Sequence, residues 1–214
     1  MTRDDRLPAT CLAVALAVLA WSGAAPADRG TWWMEVAPAL GGIAVLLATR
    51  RRFPLTPLLY VLLAVHVSIL AVGGHYTYAR VPVGDWVRDA LHLARNHYDR
   101  LGHLAQGFVP ALLARELLIR TSPLRPGRWT FFLCTAVALA LSACYEFVEW
   151  GAALMLGQGA DAFLGTQGDP WDTQWDMFMA LLGALAGQLL LAGVQDRQLA
   201  RLPGAAGAGG ARAA

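Results

Sequence analysis

Of 214 residues, 57% are apolar and 15% charged, and the mean hydropathy is +0.45, which leaves too little polar surface to wrap a water-soluble globule. The formal net charge is only +2, and the arginines are scattered between apolar runs instead of lying on one face. A nucleic-acid partner is therefore excluded from the expected classes. What remains is an all-α polytopic integral membrane bundle whose main partner is the lipid bilayer.

A hydrocarbon core of about 30 Å needs about 20 helical residues. Six stretches approach that length, at 7–25, 32–49, 55–73, 101–119, 129–153 and 174–194. They form a single expected membrane domain over 1–202, followed by a low-complexity tail at 203–214 that is expected to be disordered. Ser22-Gly23-Ala24 after the first stretch would suit signal-peptide cleavage, but Asp4 and Asp5 weaken the basic n-region such a peptide wants. The first helix is therefore expected to be retained.

Residues 84–98 read as a short interfacial helix, because Trp86 or Val87, Ala90, Leu91 and Ala94 recur at helical spacing among charged neighbours. Arg-rich short loops stay in the cytoplasm. Arg50-Arg51-Arg52, then Arg120, Arg125 and Arg128, then Arg197 and Arg201 place one set of loops and both termini there. Asp28, then Asp85, Asp89 and Asp99, then Asp161, Asp169 and Asp172 fall on the opposite side, where Trp32, Trp33, Trp150, Trp171 and Trp175 mark the boundary. Cys11, Cys134 and Cys144 have no metal-ligand spacing and read as small buried hydrophobes.

Ionisable groups at membrane depth are costly and need a partner or a purpose. Glu146 and Glu149 are three apart and share a helix face. With a rise of 1.5 Å per residue from a cytoplasmic entry near Trp129, they lie roughly 25 to 30 Å across the bilayer. His103 is expected at a comparable depth. Asp172 and Asp176, four apart, share a face at the start of the last helix.

His103, Glu146, Glu149, Asp172 and Asp176 are thus candidate ligands of a divalent metal ion of undetermined identity. Glu146 and Glu149 are also the candidate catalytic acid and base. His75, Asp99 and Asp169 are additional candidates. The plainer alternatives are specific: Asp169-Pro170 fits an N-cap with proline at N1 and Asp172 at N3. Glu146 and Glu149 would also serve a purely structural network, and His66, alone in its helix, reads as a packing histidine. Arg115 and Glu116 read as headgroup anchors paired with loop charges. Gly107 and Pro110 are placed to open room near His103.

At these residues the sequence resembles the YjdF-type bacterial inner-membrane proteins, a family named for a domain of unknown function. The resembling blocks are Gly74-His75-Tyr76-Thr77-Tyr78, Tyr98-Asp99-Arg100-Leu101-Gly102-His103 through Gln106-Gly107-Phe108 to Arg115-Glu116, and Tyr145 to Trp150 through Phe163 to Asp169 and Asp176-Met177. Together they cover about half the chain. The resemblance implies a multi-pass protein of the bacterial inner membrane and brings no settled activity. The third block is also similar to VanZ-like membrane proteins in its acidic residues before a final helix with Gly183 and Gly187, although Met179-Ala180 stands where a VanZ-like Asn is expected.

The resulting expectation is a membrane-embedded, metal-dependent site that hydrolyses or modifies an amphiphilic small molecule. A proton- or cation-linked transport or binding protein is the competing class, and a structural polar network the third.

Overall fold

Long apolar runs satisfy their backbone groups in lipid only as helices or closed barrels, and this chain coils. The computed structural model describes residues 6–157 and 161–202; the tail at 203–214 lies outside them. Among the described residues there is no strand. The helical segments are α1 (Arg6–Ala24), α2 (Arg29–Thr49), α3 (Pro57–Tyr76), α4 (Pro82–Leu91), α5 (Tyr98–Thr121), α6 (Arg128–Leu156), α7 (Asp161–Leu164) and α8 (Asp172–Leu199).

Each of the six expected stretches falls in a long helix, but they are not equivalent. α1, α2, α3, α6 and α8 are long and apolar enough to cross a bilayer. α5, with 24 residues, is long enough but carries Asp99, Arg100, His103, Arg115, Glu116 and Arg120. It packs against α3, α6 and α8, so these groups meet protein and not hydrocarbon. The expected six spans are therefore five helices of lipid-facing composition and one polar helix held among them. The α1–α3 contact is far larger than the α1–α2 contact. Ser22 Oγ accepts from Trp32 Nε1 at 2.9 Å, and Trp32 is buried against α1. Trp33, Trp150, Trp171 and Trp175 are exposed.

The interfacial helix is shorter than the pattern suggests. It starts at Pro82 and stops at Leu91, because His92 takes the left-handed conformation, φ 54°, and its N–H closes the last turn on Arg88 O. The chain then folds back: buried Asn96 donates through Nδ2 to Val81 O and Asp85 Oδ1, both at 3.0 Å, and accepts from Tyr98 N. Val83, Trp86 and Leu91 remain exposed on α4, the apolar face an interfacial helix requires. At the other turn, Asp28 caps α2 by accepting from Thr31 N at 2.6 Å. That bond holds its carboxyl below the ordinary range.

α5 and α8 make the most extensive helix contact, and small residues explain why. A Cβ at Gly107 would overlap the Ala180 carbonyl, and one at Gly183 the Leu104 carbonyl. With Ala180, Ala184 and Gly187, these glycines let the two backbones touch, the usual solution where hydrophobicity cannot drive helices together in lipid.

At the arginine-bearing end, Glu116 is fully buried. It accepts from Thr56 N at 3.1 Å and Thr56 Oγ1 at 2.7 Å and pairs with Arg120 at 2.7 Å. Arg120 also donates to Pro54 O and lies over the Phe53 ring. Arg115 reaches α8 through Gln195 at 3.1 Å and Asp196 at 2.8 Å. Arg115 and Glu116 are therefore inter-element ties and not the headgroup anchors expected from sequence, because both side chains point into the bundle.

Two outcomes follow for detergent-purified protein. Gly183→Leu should abolish the monodisperse folded peak in size exclusion, since neither backbone can yield. Glu116→Ala, which strands Arg120 and the Thr56 donors, should cost about 3 kcal/mol, read as a lowered unfolding temperature; an unchanged temperature would rule out this tie.

Candidate functional site

The end of the bundle opposite the arginine-rich loops holds a buried group of carboxylates contributed by several elements. α5 supplies Asp99, Arg100 and His103, α6 supplies Glu146 and Glu149, and α8 supplies Asp172 and Asp176; all are buried. Asp169 joins from the turn before α8, and Arg95 from the fold-back after α4. Uncompensated negative charge cannot accumulate in a low-dielectric interior, so the first question is what neutralises it.

Arg100 is the principal counterion. Its Nη1 bonds Asp176 Oδ1, and its Nη2 reaches Asp172 Oδ1 at 2.7 Å and Asp169 Oδ2 at 3.2 Å. Arg95 adds contacts to Asp172 at 2.9 Å and Asp169 at 3.2 Å, and donates to Thr166 O. Burial and the nearby Arg95 and Arg100 push the His97 imidazole below its ordinary pKa.

These pairs correct the expected capping role of Asp169. α8 begins at Asp172 with Trp171 as its cap residue and no side-chain cap bond. Asp169 Oδ1 accepts instead from Trp171 N at 2.9 Å, and its other oxygen is held by the arginines. Asp172, expected at N3 of a helix starting at Pro170, is the first residue of α8.

On the other side of His103 the arginines do not reach. His103 is 4% exposed, and its Nδ1 lies 4.0 Å from Glu146 Oε1. Donor atoms of His103, Glu146 and Glu149 lie within 4.8 Å of one another. Among the described residues, His103 Nδ1 and both Glu146 oxygens are buried without a hydrogen-bond partner. The Nε2 edge of the same ring faces Asp99 Oδ1 and Asp176 Oδ1, each at 3.6 Å. Asp99, His103 and Asp176 form a second close set, but Arg100 sits beside that set and pairs with both carboxylates.

The five expected ligands therefore divide. His103, Glu146 and Glu149 come together with unsatisfied donor atoms; Asp176 stands behind the imidazole; Asp172 is taken by Arg95 and Arg100. His75 lies elsewhere: its Nδ1 is 2.8 Å from Ser22 O, and its ring stacks on Trp21.

A cavity of about 320 Å³ adjoins His103 and Glu149. Its polar lining includes Glu35, Asp99, His103, Glu149, Tyr78 and Tyr145, with Gly102, Gln106 and Pro110 of α5 forming one wall. Pro110 borders this space near His103, whereas Gly107, expected to help open it, lies against the Ala180 carbonyl of α8 instead. Cys144 also lines this cavity and is exposed, which corrects its expected burial; Cys134 is buried.

Tyr78 reaches the cavity by folding back over the last turn of α3, where Thr77 and Tyr78 have φ of 57° and 46°. Its ring occupies the space a Cβ at Gly73 would need.

Sequence reasoning passes over Glu35, Arg95, Arg100 and Tyr145 as site residues. Glu35 is buried in α2 and accepts from the Tyr145 hydroxyl at 3.0 Å. The rule that singles out Glu146, a carboxylate inside an apolar run, applies equally to Glu35. Arg95 carried no local signal, because only the turn after Leu91 brings it to Asp169 and Asp172.

Comparison with known proteins adds the family. A family model described as "Predicted membrane protein (DUF2238)" matches residues 7–197. Inner membrane protein YjdF of Escherichia coli (strain K12) is 57% identical over 184 residues, covering 86% of this chain and 88% of that protein. No solved structure matches. With nearly every element of the bundle inside the matched span, the chain belongs to the DUF2238 family of membrane proteins.

Proposed function

We propose that this is an inner-membrane metalloprotein that hydrolyses a membrane amphiphile, with one divalent ion held by His103, Glu146 and Glu149. The observation that carries the reading is the close approach of these three donors while His103 Nδ1 and both Glu146 oxygens have no hydrogen-bond partner. A buried carboxylate left bare costs several kcal/mol, and a cation at this point would supply the missing partner.

The other edge of the imidazole supports the same assignment. Metal-bound histidines commonly direct their second nitrogen to a carboxylate, which fixes the ring and raises its basicity. Nε2 of His103 faces Asp99 and Asp176 in that sense. Arg100 disfavours a second cation on that side, since like charges repel strongly in low dielectric.

A bound divalent ion would lower the pKa of a water molecule and polarise the substrate. His103 and Glu146 would hold the ion together with one oxygen of Glu149, and the other oxygen of Glu149, which lines the cavity, would take the water's proton and return it to the leaving group. Orientation is part of the proposal: the arginine-rich end, with both termini, faces the cytoplasm, and the site opens toward the other side. The name of the E. coli relative supports the inner membrane as its location.

A second reading uses the same cations without bond breaking. Glu35, Asp99, Glu146, Glu149, Asp169, Asp172 and Asp176 outnumber Arg95 and Arg100, so protons or cations must share the site, as in a transport path.

Elemental analysis of purified protein tests the first reading. Wild type should carry near-stoichiometric metal, released on acidification as protons compete for the same lone pairs. Glu146→Gln should lose the metal and keep its fold. Asp172→Asn, which removes a partner of Arg95 and Arg100, should lower thermal stability and keep the metal. Well-folded wild type that takes up none of Mg, Mn, Fe or Zn would overturn the assignment. Cation uptake into proteoliposomes, lost in Glu146→Gln, would favour transport.

A further inference from the structure

A second cavity lies against the first. It measures about 390 Å³ and is bounded by α1, α2 and α3, with Leu12, Leu16, Ile43, Leu47 and Leu63 among its walls. Its lining is almost wholly apolar. Pro38, His66 and Leu70 belong to the walls of both cavities, so the polar chamber and the apolar groove meet at these residues. Along α2, the groove extends from Pro38 to Arg50, roughly 18 Å at 1.5 Å per residue. That is about the depth of one leaflet of a hydrocarbon core of about 30 Å.

His66 stands at the junction. Its Nε2 is shut off from solvent and has no hydrogen-bond partner among the described residues. A packing histidine would normally satisfy that atom. An unpaired ring nitrogen between a polar chamber and an apolar groove suits an amphiphile whose linkage oxygen passes this point.

From this continuity we infer that the substrate is a single-chain amphiphile with a small anionic head. The head enters the chamber beside His103 and Glu149, the linkage oxygen meets His66, and the hydrocarbon chain lies in the α1–α2–α3 groove. The inference rests on the metal reading for the choice of an anionic head, because bare carboxylates would repel one. It explains what a chain of this size does with α1, which contributes nothing to the carboxylate cluster but closes the groove.

The test uses full-length protein in detergent, irradiated with a diazirine-bearing hexadecyl phosphate, with metal content measured in parallel. Label should appear on groove-lining peptides of α1, α2 and α3. Gly42 lines the groove, and a Cβ added there meets no atom within 4 Å. Gly42→Trp should therefore fold, retain metal and lose the groove label. Gly42→Leu, a smaller plug, should lose part of it.

Label that is indifferent to both variants, or absent from the groove of folded, metal-loaded wild type, is annular lipid contact only and overturns the inference while leaving the metal reading standing. Groove label that persists in metal-free protein, and disappears in Gly42→Trp, supports the chain site and overturns both the metal reading and the metal-dependent choice of an anionic head.

Discussion

The guanidinium of Arg100 is the interaction on which this end of the molecule depends. Asp99, Asp169, Asp172 and Asp176 all lie within ion-pair reach of it, in an interior where each bare carboxylate would cost several kcal/mol. Arginine suits the task because its planar fork offers several donors in fixed directions, so one cation serves carboxylates on different elements. Lysine could not match that geometry. By joining α5 to the start of α8, Arg100 sets where the neighbouring imidazole of His103 stands.

The same constraint explains the asymmetry of the site. Arginine coverage stops at His103, and beyond it Glu146 and Glu149 face the imidazole without a counterion among the described residues. One side of His103 is a closed ion-pair network and the other is chemically open. The opposite end of the bundle shows the contrasting arrangement. There Glu116 is surrounded by Thr56 and Arg120, so its burial needs nothing further. A buried carboxylate is informative about function only when its partners are missing.

Packing makes these polar arrangements affordable in a membrane protein. The glycine and alanine face of α8 lets α5 approach closely, and α3 and α6 cover it further. α5 can then carry charges that would be excluded from a lipid-facing helix. α1 and α2 complete the enclosure around α3, leaving the polar chamber and the apolar groove side by side. The family relationship to YjdF fixes the membrane character of the chain, while the chemistry is argued from this geometry.

Composition and run length by themselves determined the membrane bundle, because stretches of about 20 apolar residues have few other stable forms. They also marked His103, Glu146, Glu149 and Asp176 as residues in need of partners, since the cost of an ionisable group at membrane depth is a local property. Tertiary structure alone decided which carboxylates are already paired. Asp169 and Asp172 read in the sequence either as ligands or as residues that start the last helix, yet Arg95 and Arg100 claim them, across about 70 residues of chain and a turn that no periodicity announces. It also decided that Glu35 of α2 meets Tyr145 of α6, that Arg115 and Glu116 turn inward, and that His66 sits between two cavities. Helix formation and membrane depth are read from neighbours in sequence, whereas charge pairing depends on groups brought together from distant helices.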